Sequence, residues 1–157
     1  MTEQDLHWLR RTIELSHSAR KNGNRPFGAV LVDGAGRLLA EGENTVRTER
    51  DCTGHAEANV LREATRRFEP EVLAGATLYA SCEPCAMCAG AVFWSEVGRV
   101  VFALPSASLG PLSKGKDDAL RLGCAEVLAR GSRPTRVEGP STELQDLALA
   151  AFDGFWD

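Results

Sequence analysis

Apolar residues recur at Leu6, Leu9 and Ile13, with Ser16 or Ala19 closing the series and polar residues between. That spacing is helical and predicts an amphipathic first helix over Asp5–Ala19. Asn22-Gly23-Asn24 ends it. Pro26 forces extended backbone on its predecessor, and the apolar run Phe27–Val32 reads as a buried strand. Asp33-Gly34-Ala35-Gly36 is a hairpin turn, so Arg37–Asn44 returns as an antiparallel strand. The polar loop Thr45–Gly54 leads into a helix from His55 to about Phe68. There Ala58, Leu61 and Ala64 face a core, and Arg62, Glu63, Arg66 and Arg67 face water.

Thr77–Ala80 is a short strand, and Cys85–Trp94 is apolar nearly all round, so that helix is expected to be buried on several sides. Arg99–Ala103 predicts a fourth strand, Asp117–Leu122 a short helix, Arg136-Val137 a weak last strand and Thr142–Ala151 a final helix. This order implies an α/β fold: a three-layer α/β/α sandwich around a central mixed five-stranded sheet. No internal repeat or low-complexity linker interrupts it. Residues 1–157 read as one domain, with 142–157 as a C-terminal helix and candidate lid.

At 157 residues, 43% hydrophobic and 25% charged, the chain has the composition of a globular protein with a real core. The longest apolar run, Ala86–Trp94, is too short to span a bilayer, and Met1–Asp5 lacks signal-peptide character. The expectation is a cytoplasmic protein with no membrane role. Five cysteines form no even disulfide framework, so reduced thiols and a metal fit better. A net charge of −4 gives no general attraction to a polyanion, although a local basic face stays open.

The candidate chemistry sits in Ser81-Cys82-Glu83-Pro84-Cys85-Ala86-Met87-Cys88. C-x-x-C by itself leaves open a redox pair, half of a structural zinc site and half of a catalytic one. Pro84 suits the first turn of a helix, whose N-terminus favours thiolate over thiol. His55-Ala56-Glu57, at the start of another helix, decides the reading. His55, Cys85 and Cys88 as ligands leave tetrahedral zinc one position for water, whose pKa then falls to near 7. Glu57, placed off the metal, can take that proton, pass it to a ring nitrogen and protonate a leaving amine, which is hydrolytic deamination. The rival reading is a structural zinc module closed by Cys82. Cys52 and Cys124 read as ordinary small residues, and His7 and His17 as residues of the first helix.

These residues resemble the zinc-dependent cytidine and nucleobase deaminase superfamily: His55-Ala56-Glu57 matches its H-x-E and Pro84-Cys85-Ala86-Met87-Cys88 its P-C-x-x-C. The likeness runs from about Pro26 to Ala103 and includes Pro26–Val30, Asn44, Asp51-x-Thr53-x-His55 and Gly98–Phe102. It implies a cytidine deaminase-like fold, one zinc per chain on His55, Cys85 and Cys88, proton shuttling by Glu57 and substrate hydrogen bonding by Asn44. It also implies a homodimer, with the C-terminal segment able to exchange between subunits. Asn44 as a simple turn cap is the plainer alternative.

Within the superfamily the guanine deaminase branch is the nearest match, through Cys82-Glu83-Pro84-Cys85, Phe93-Trp94 and Phe27, with tRNA-adenosine deaminases next. Thr53-Gly54-His55 and Asn59 depart from the guanine enzymes' commoner residues, so cytosine, cytidine and aminotriazines stay open as substrates. Phe27 and Trp94 are candidate walls for a flat base, with Trp94 as a core residue the alternative. Glu138–Asp157 holds five acids and no Lys or Arg, which disfavours a nucleic-acid partner and favours a free nucleobase or nucleoside. Phe152, Asp153 and Phe155 are candidate lid residues over the base, or else parts of a docked tail.

Overall fold

The computed structural model describes residues 1–116 and 118–157. Helix α1 (Glu3–Lys21) begins in a capping box: Asp5 N donates to Thr2 Oγ1 at 3.1 Å, and Thr2 N to Asp5 Oδ2 at 2.7 Å. Its Leu6, Leu9, Ile13 and Ala19 are buried, as the period requires. Strands β1 (Gly28–Val32) and β2 (Leu38–Glu43) form the expected hairpin. Asp33 Oδ1 fixes the turn by accepting from Ala35 N and Arg37 N, both at 2.9 Å, and Gly36 supplies φ +84°.

There follow α2 (Val46–Glu49), α3 (Ala56–Arg67), α4 (Pro70–Ala74), β3 (Thr77–Cys82), α5 (Ala86–Trp94) and β4 (Arg99–Leu104). A 3-10 turn at Ser106–Ser108 precedes α6 (Leu109–Ser113), α7 (Cys124–Ala129), β5 (Arg136–Glu138) and α8 (Gln145–Ala150). The sheet order is β2-β1-β3-β4-β5, antiparallel on both sides of β1 and parallel from β3 to β5. Successive strand residues point to opposite faces, and the burial follows that period. Ala29, Leu31, Leu78 and Val100 pack with α3, α5 and α7, while Val30, Val32, Tyr79 and Val101 pack with α1 and α8. The three-layer arrangement expected from the sequence is present. No described helix is long and apolar enough to cross a membrane.

Four expectations need correction. Residues 118–122 carry no helix, Asp117 lies outside the described residues, and the helix begins at Cys124, whose N–H the Glu83 carboxylate accepts at 3.0 Å. Val60 takes the core place expected of Ala58, which is half-buried: the buried stripe of α3 runs Ala56, Glu57, Val60, Leu61 and Ala64, at helical spacing, and Ala58 lies off it. Arg62 is half-buried as well, since it bridges Asn59 and Thr53. Finally, α5 is covered on one side only: Cys88, Ala89 and Val92 are buried, whereas Met87 is 38% and Trp94 82% exposed.

Candidate active site

The parallel strand β3 delivers the chain to Cys82, paired with Leu104 of β4, and the site lies just beyond these carboxyl ends. Open α/β sheets bind their ligands there. Cys85 is the N-cap of α5 and His55 the N-cap of α3, so two helix N-termini converge. Pro84 consequently precedes the cap instead of occupying the first turn, where it directs the chain from strand to helix. His55 Nδ1 lies 3.5 Å from Cys85 Sγ and 3.6 Å from Cys88 Sγ, and the three ligand atoms fall within 4.8 Å of one another.

These distances fit zinc. Zn–S near 2.3 Å and Zn–N near 2.0–2.1 Å at a tetrahedral angle place N and S about 3.6 Å apart. One imidazole and two thiolates form a zinc donor set with one position open. Cys82 is buried but is no part of the ligand group, and Cys52 and Cys124 are likewise apart from it.

Glu57 lies on the first turn of α3, 6% exposed, with Oε2 accepting from Cys88 Sγ at 3.6 Å. Burial pushes its carboxyl up to about 6, with the Cys85 charge adding to the effect. The Cys85 thiol is held down to about 4, first by the hydrogen bond from Cys88 and then by that to His55. Cys88 is pushed upward by the same bond to Cys85 and by burial, and His55 is raised chiefly by Cys85. Cys82 is pushed far up by desolvation, as suits a packed thiol.

Asn44 follows β2 and is buried, and its backbone N–H donates to Phe27 O at 3.0 Å. Its Oδ1 accepts from Val46 N at 3.1 Å, which leaves the amide NH2 to serve a ligand. Phe27 meets Phe152 edge-on at 5.3 Å, and Trp156 stacks on Phe152 at 5.6 Å. Phe155 lies edge-on to Trp156 under the guanidinium groups of Arg20 and Arg47. Lys114 pairs with Asp157 at 3.1 Å, and Lys116 Nζ donates to Trp156 O.

The tail thus closes on its own chain. Phe152, 3% exposed, belongs to the core on the α1 face of the sheet; Asp153 is exposed, and its side chain makes no hydrogen bond or ion pair among the described residues. Trp94 is neither wall nor core within the chain. It stands six residues beyond Cys88, about 9 Å along the helix, against Phe93 and water. A cavity of about 390 Å³ opens at the opposite end of the sheet beside Thr77, Gly98 and Arg99, away from all of these residues.

Sequence reasoning missed Glu83. Its carboxylate accepts from Cys124 N at 3.0 Å, Ser106 N at 3.2 Å and Ser106 Oγ at 3.1 Å, tying the ligand turn to the following loop and to α7. An acid between a buried strand end and Pro84 was the available signal.

Residues 2–104 match the family described as the cytidine and deoxycytidylate deaminase zinc-binding region. A probable cytosine deaminase from Schizosaccharomyces pombe is 37% identical over 159 residues, covering 100% of this chain and 95% of that protein. A tRNA-specific adenosine deaminase from Haemophilus influenzae is 38% identical over 111 residues, 71% of this chain and 64% of that protein. The solved guanine deaminase from Nitrosomonas europaea superimposes with a TM-score of 0.74 at 27% identity, covering 94% of this chain and 82% of that one. A family match across most of the sequence and a likeness running its full length agree with the ligand geometry: the chain belongs to the zinc-binding cytidine and deoxycytidylate deaminase family and is a zinc-dependent hydrolytic deaminase.

Proposed function

We propose that the whole chain works as one deaminase domain on a free nucleobase, with guanine, converted to xanthine and ammonia, as the first choice. The observation that carries this reading is the aromatic cluster of Phe27, Phe152 and Trp156, with the Phe27 carbonyl accepting from Asn44 N. A flat base needs flat apolar walls, and a tail pinned by Lys114 and Lys116 leaves little course for a polynucleotide. The acids of Glu138–Asp157 further oppose a phosphate backbone. Cytosine is the second reading, favoured by the full-length likeness to the S. pombe protein, which includes the tail.

His55, Cys85 and Cys88 would hold the zinc, which when bound would lower the pKa of a water toward neutrality. Glu57, with its carboxyl near 6, suits a group that must both accept and donate near neutral pH. Its carboxylate takes the water's proton and delivers it to the ring nitrogen beside the amino-bearing carbon. The second proton goes to the amine, which departs as ammonia while the carbon keeps the oxygen. The Asn44 NH2 orients the base. Phe155 and Trp156 act as a lid edge over the docked Phe152, which restricts bulk water.

Met87 and Trp94, with Gly90 and Ala91 between them, form an exposed apolar face of α5 that suits a homodimer. Sedimentation showing only monomer at micromolar concentration would remove that face from the account. Ammonia release from guanine, cytosine and a tRNA anticodon stem-loop, measured side by side, tests substrate choice. Guanine is expected to lead; a stem-loop turned over faster than both free bases overturns the free-base reading.

A further inference from the structure

The ten-residue loop Thr45–Gly54 runs from Asn44 to His55, and its two ends are fastened together. Thr45 N donates to Gly54 O at 2.8 Å. A Cβ on Gly54 would stand 2.9 Å from Thr45 Oγ1 and 3.1 Å from Asp51 O, so a side chain there would push Thr45 or the Asp51 carbonyl away. Into the same junction α3 projects Asn59, one turn after His55. Its Nδ2 donates to Glu43 O at 3.0 Å, Thr45 Oγ1 at 3.0 Å and, at 3.4 Å, Gly54 O. Its Oδ1 accepts from Arg62 Nη1 at 2.9 Å; because a guanidinium only donates, the amide is oriented with its NH2 toward the loop. Arg62 Nη2 in turn reaches Thr53 Oγ1 at 3.3 Å, and Thr53 is bound to Asp51.

Glu43 and Thr45 are the two chain neighbours of Asn44. One amide therefore grips the backbone before Asn44 and the side chain after it, from the helix that His55 caps. We infer that Asn59 is a positioning residue that sets the Asn44 amide relative to the His55 ligand, so that base binding passes through it. This inference rests on Asn44 contacting the base. A residue that merely stabilised the loop would lower the melting temperature without acting through Asn44.

A double-mutant cycle separates the two roles, using whichever of guanine, cytosine and the anticodon stem-loop is turned over fastest. Asn59→Leu keeps the branched heavy-atom shape and removes the donors to Glu43, Thr45 and Gly54 and the acceptor for Arg62. It is expected to lower kcat/KM about tenfold, mainly through KM, with about one zinc per chain retained. In an Asn44→Ala background the same change is expected to cost less than about twofold. A full tenfold loss in that background, or a loss that follows departed zinc, overturns the inference. Should Asn59→Leu fail to fold, Thr45→Val, at a half-buried loop position, removes one of the Asn59 contacts together with the Thr45–Glu49 hydrogen bond. A loss of about threefold is expected, again only when Asn44 is present, and an equal loss without Asn44 overturns the inference. Wild-type kcat/KM in Asn44→Ala alone removes the Asn44 reading itself, and with it the role of Asn59.

Discussion

Cys82 and Cys85 are three residues apart, both thiols and both near Glu57, yet the fold gives them different fates. Cys82 ends a strand buried from Leu78 onward and is kept as a neutral thiol by desolvation, while Cys85 opens a helix where hydrogen bonds lower its pKa. Metal analysis checks this difference: Cys82→Ala should hold about one zinc per chain, and Cys85→Ala should lose most of it. Equal loss in both would mean a site closed by four protein ligands. His55, Glu57, Cys85 and Cys88 were legible in the sequence because zinc and proton transfer tolerate few residue types at few spacings. Trp94 was not. An apolar residue on an apolar helix has the same sequence signature whether the sheet or a second surface covers it, and only α5's lie on the sheet leaves it outside. Asn59 stood out only as a departure from related sequences, since its role depends on where Glu43, Thr45 and Gly54 meet.

Strands and long helices were readable to within a residue or two because their period repeats over several turns or alternations, as in α1 and α3. The short elements α2, α4 and α6 span one turn each, too short to show a period, and α7 is placed by a long-range bond from Glu83 that no local pattern reveals. The C-terminal segment divides in a way that predicts its own test. Phe152→Ala removes a ring packed on Phe27 and Trp156 in the core and is expected to cost about 3–5 kcal/mol of stability in denaturant unfolding. Phe155→Ala, at a half-buried ring under Arg20 and Arg47, should cost about 1 kcal/mol or less yet raise KM. If the two variants are equally destabilised and KM is unmoved in Phe155→Ala, the tail is a structural clasp alone.

At the scale of the whole molecule, a buried ionic network centred on Asp5 joins the first helix to the sheet. Arg99 Nη1 and Nη2 bond the two Asp5 oxygens at 2.8 and 3.0 Å, Tyr79 donates to Asp5 at 2.8 Å, and Arg99 also holds Glu138. Burial would raise the Asp5 pKa, but the Arg99, Thr2 and Tyr79 bonds outweigh it and hold the carboxyl well below the usual range. A depressed folded-state pKa gives stability that is fully present above the unfolded value near 4 and is lost as pH falls toward the folded one. The urea midpoint should therefore drop steeply from pH 5 downward, and Asp5→Asn, weaker at pH 6, should drop less. Parallel profiles for the two proteins would contradict that role.

The central claim is that a base bound beside His55, Cys85 and Cys88 is deaminated by water with Glu57 carrying the protons. The most direct measurement is ammonia release by wild-type protein and Glu57→Gln at equal zinc content, on guanine and cytosine. Wild type should release ammonia from at least one of the two, and Glu57→Gln should retain zinc and fold while kcat falls by at least about 10²–10⁴. Glu57→Gln turning over at the wild-type rate, or zinc-loaded wild type releasing no ammonia from either base, would contradict the account.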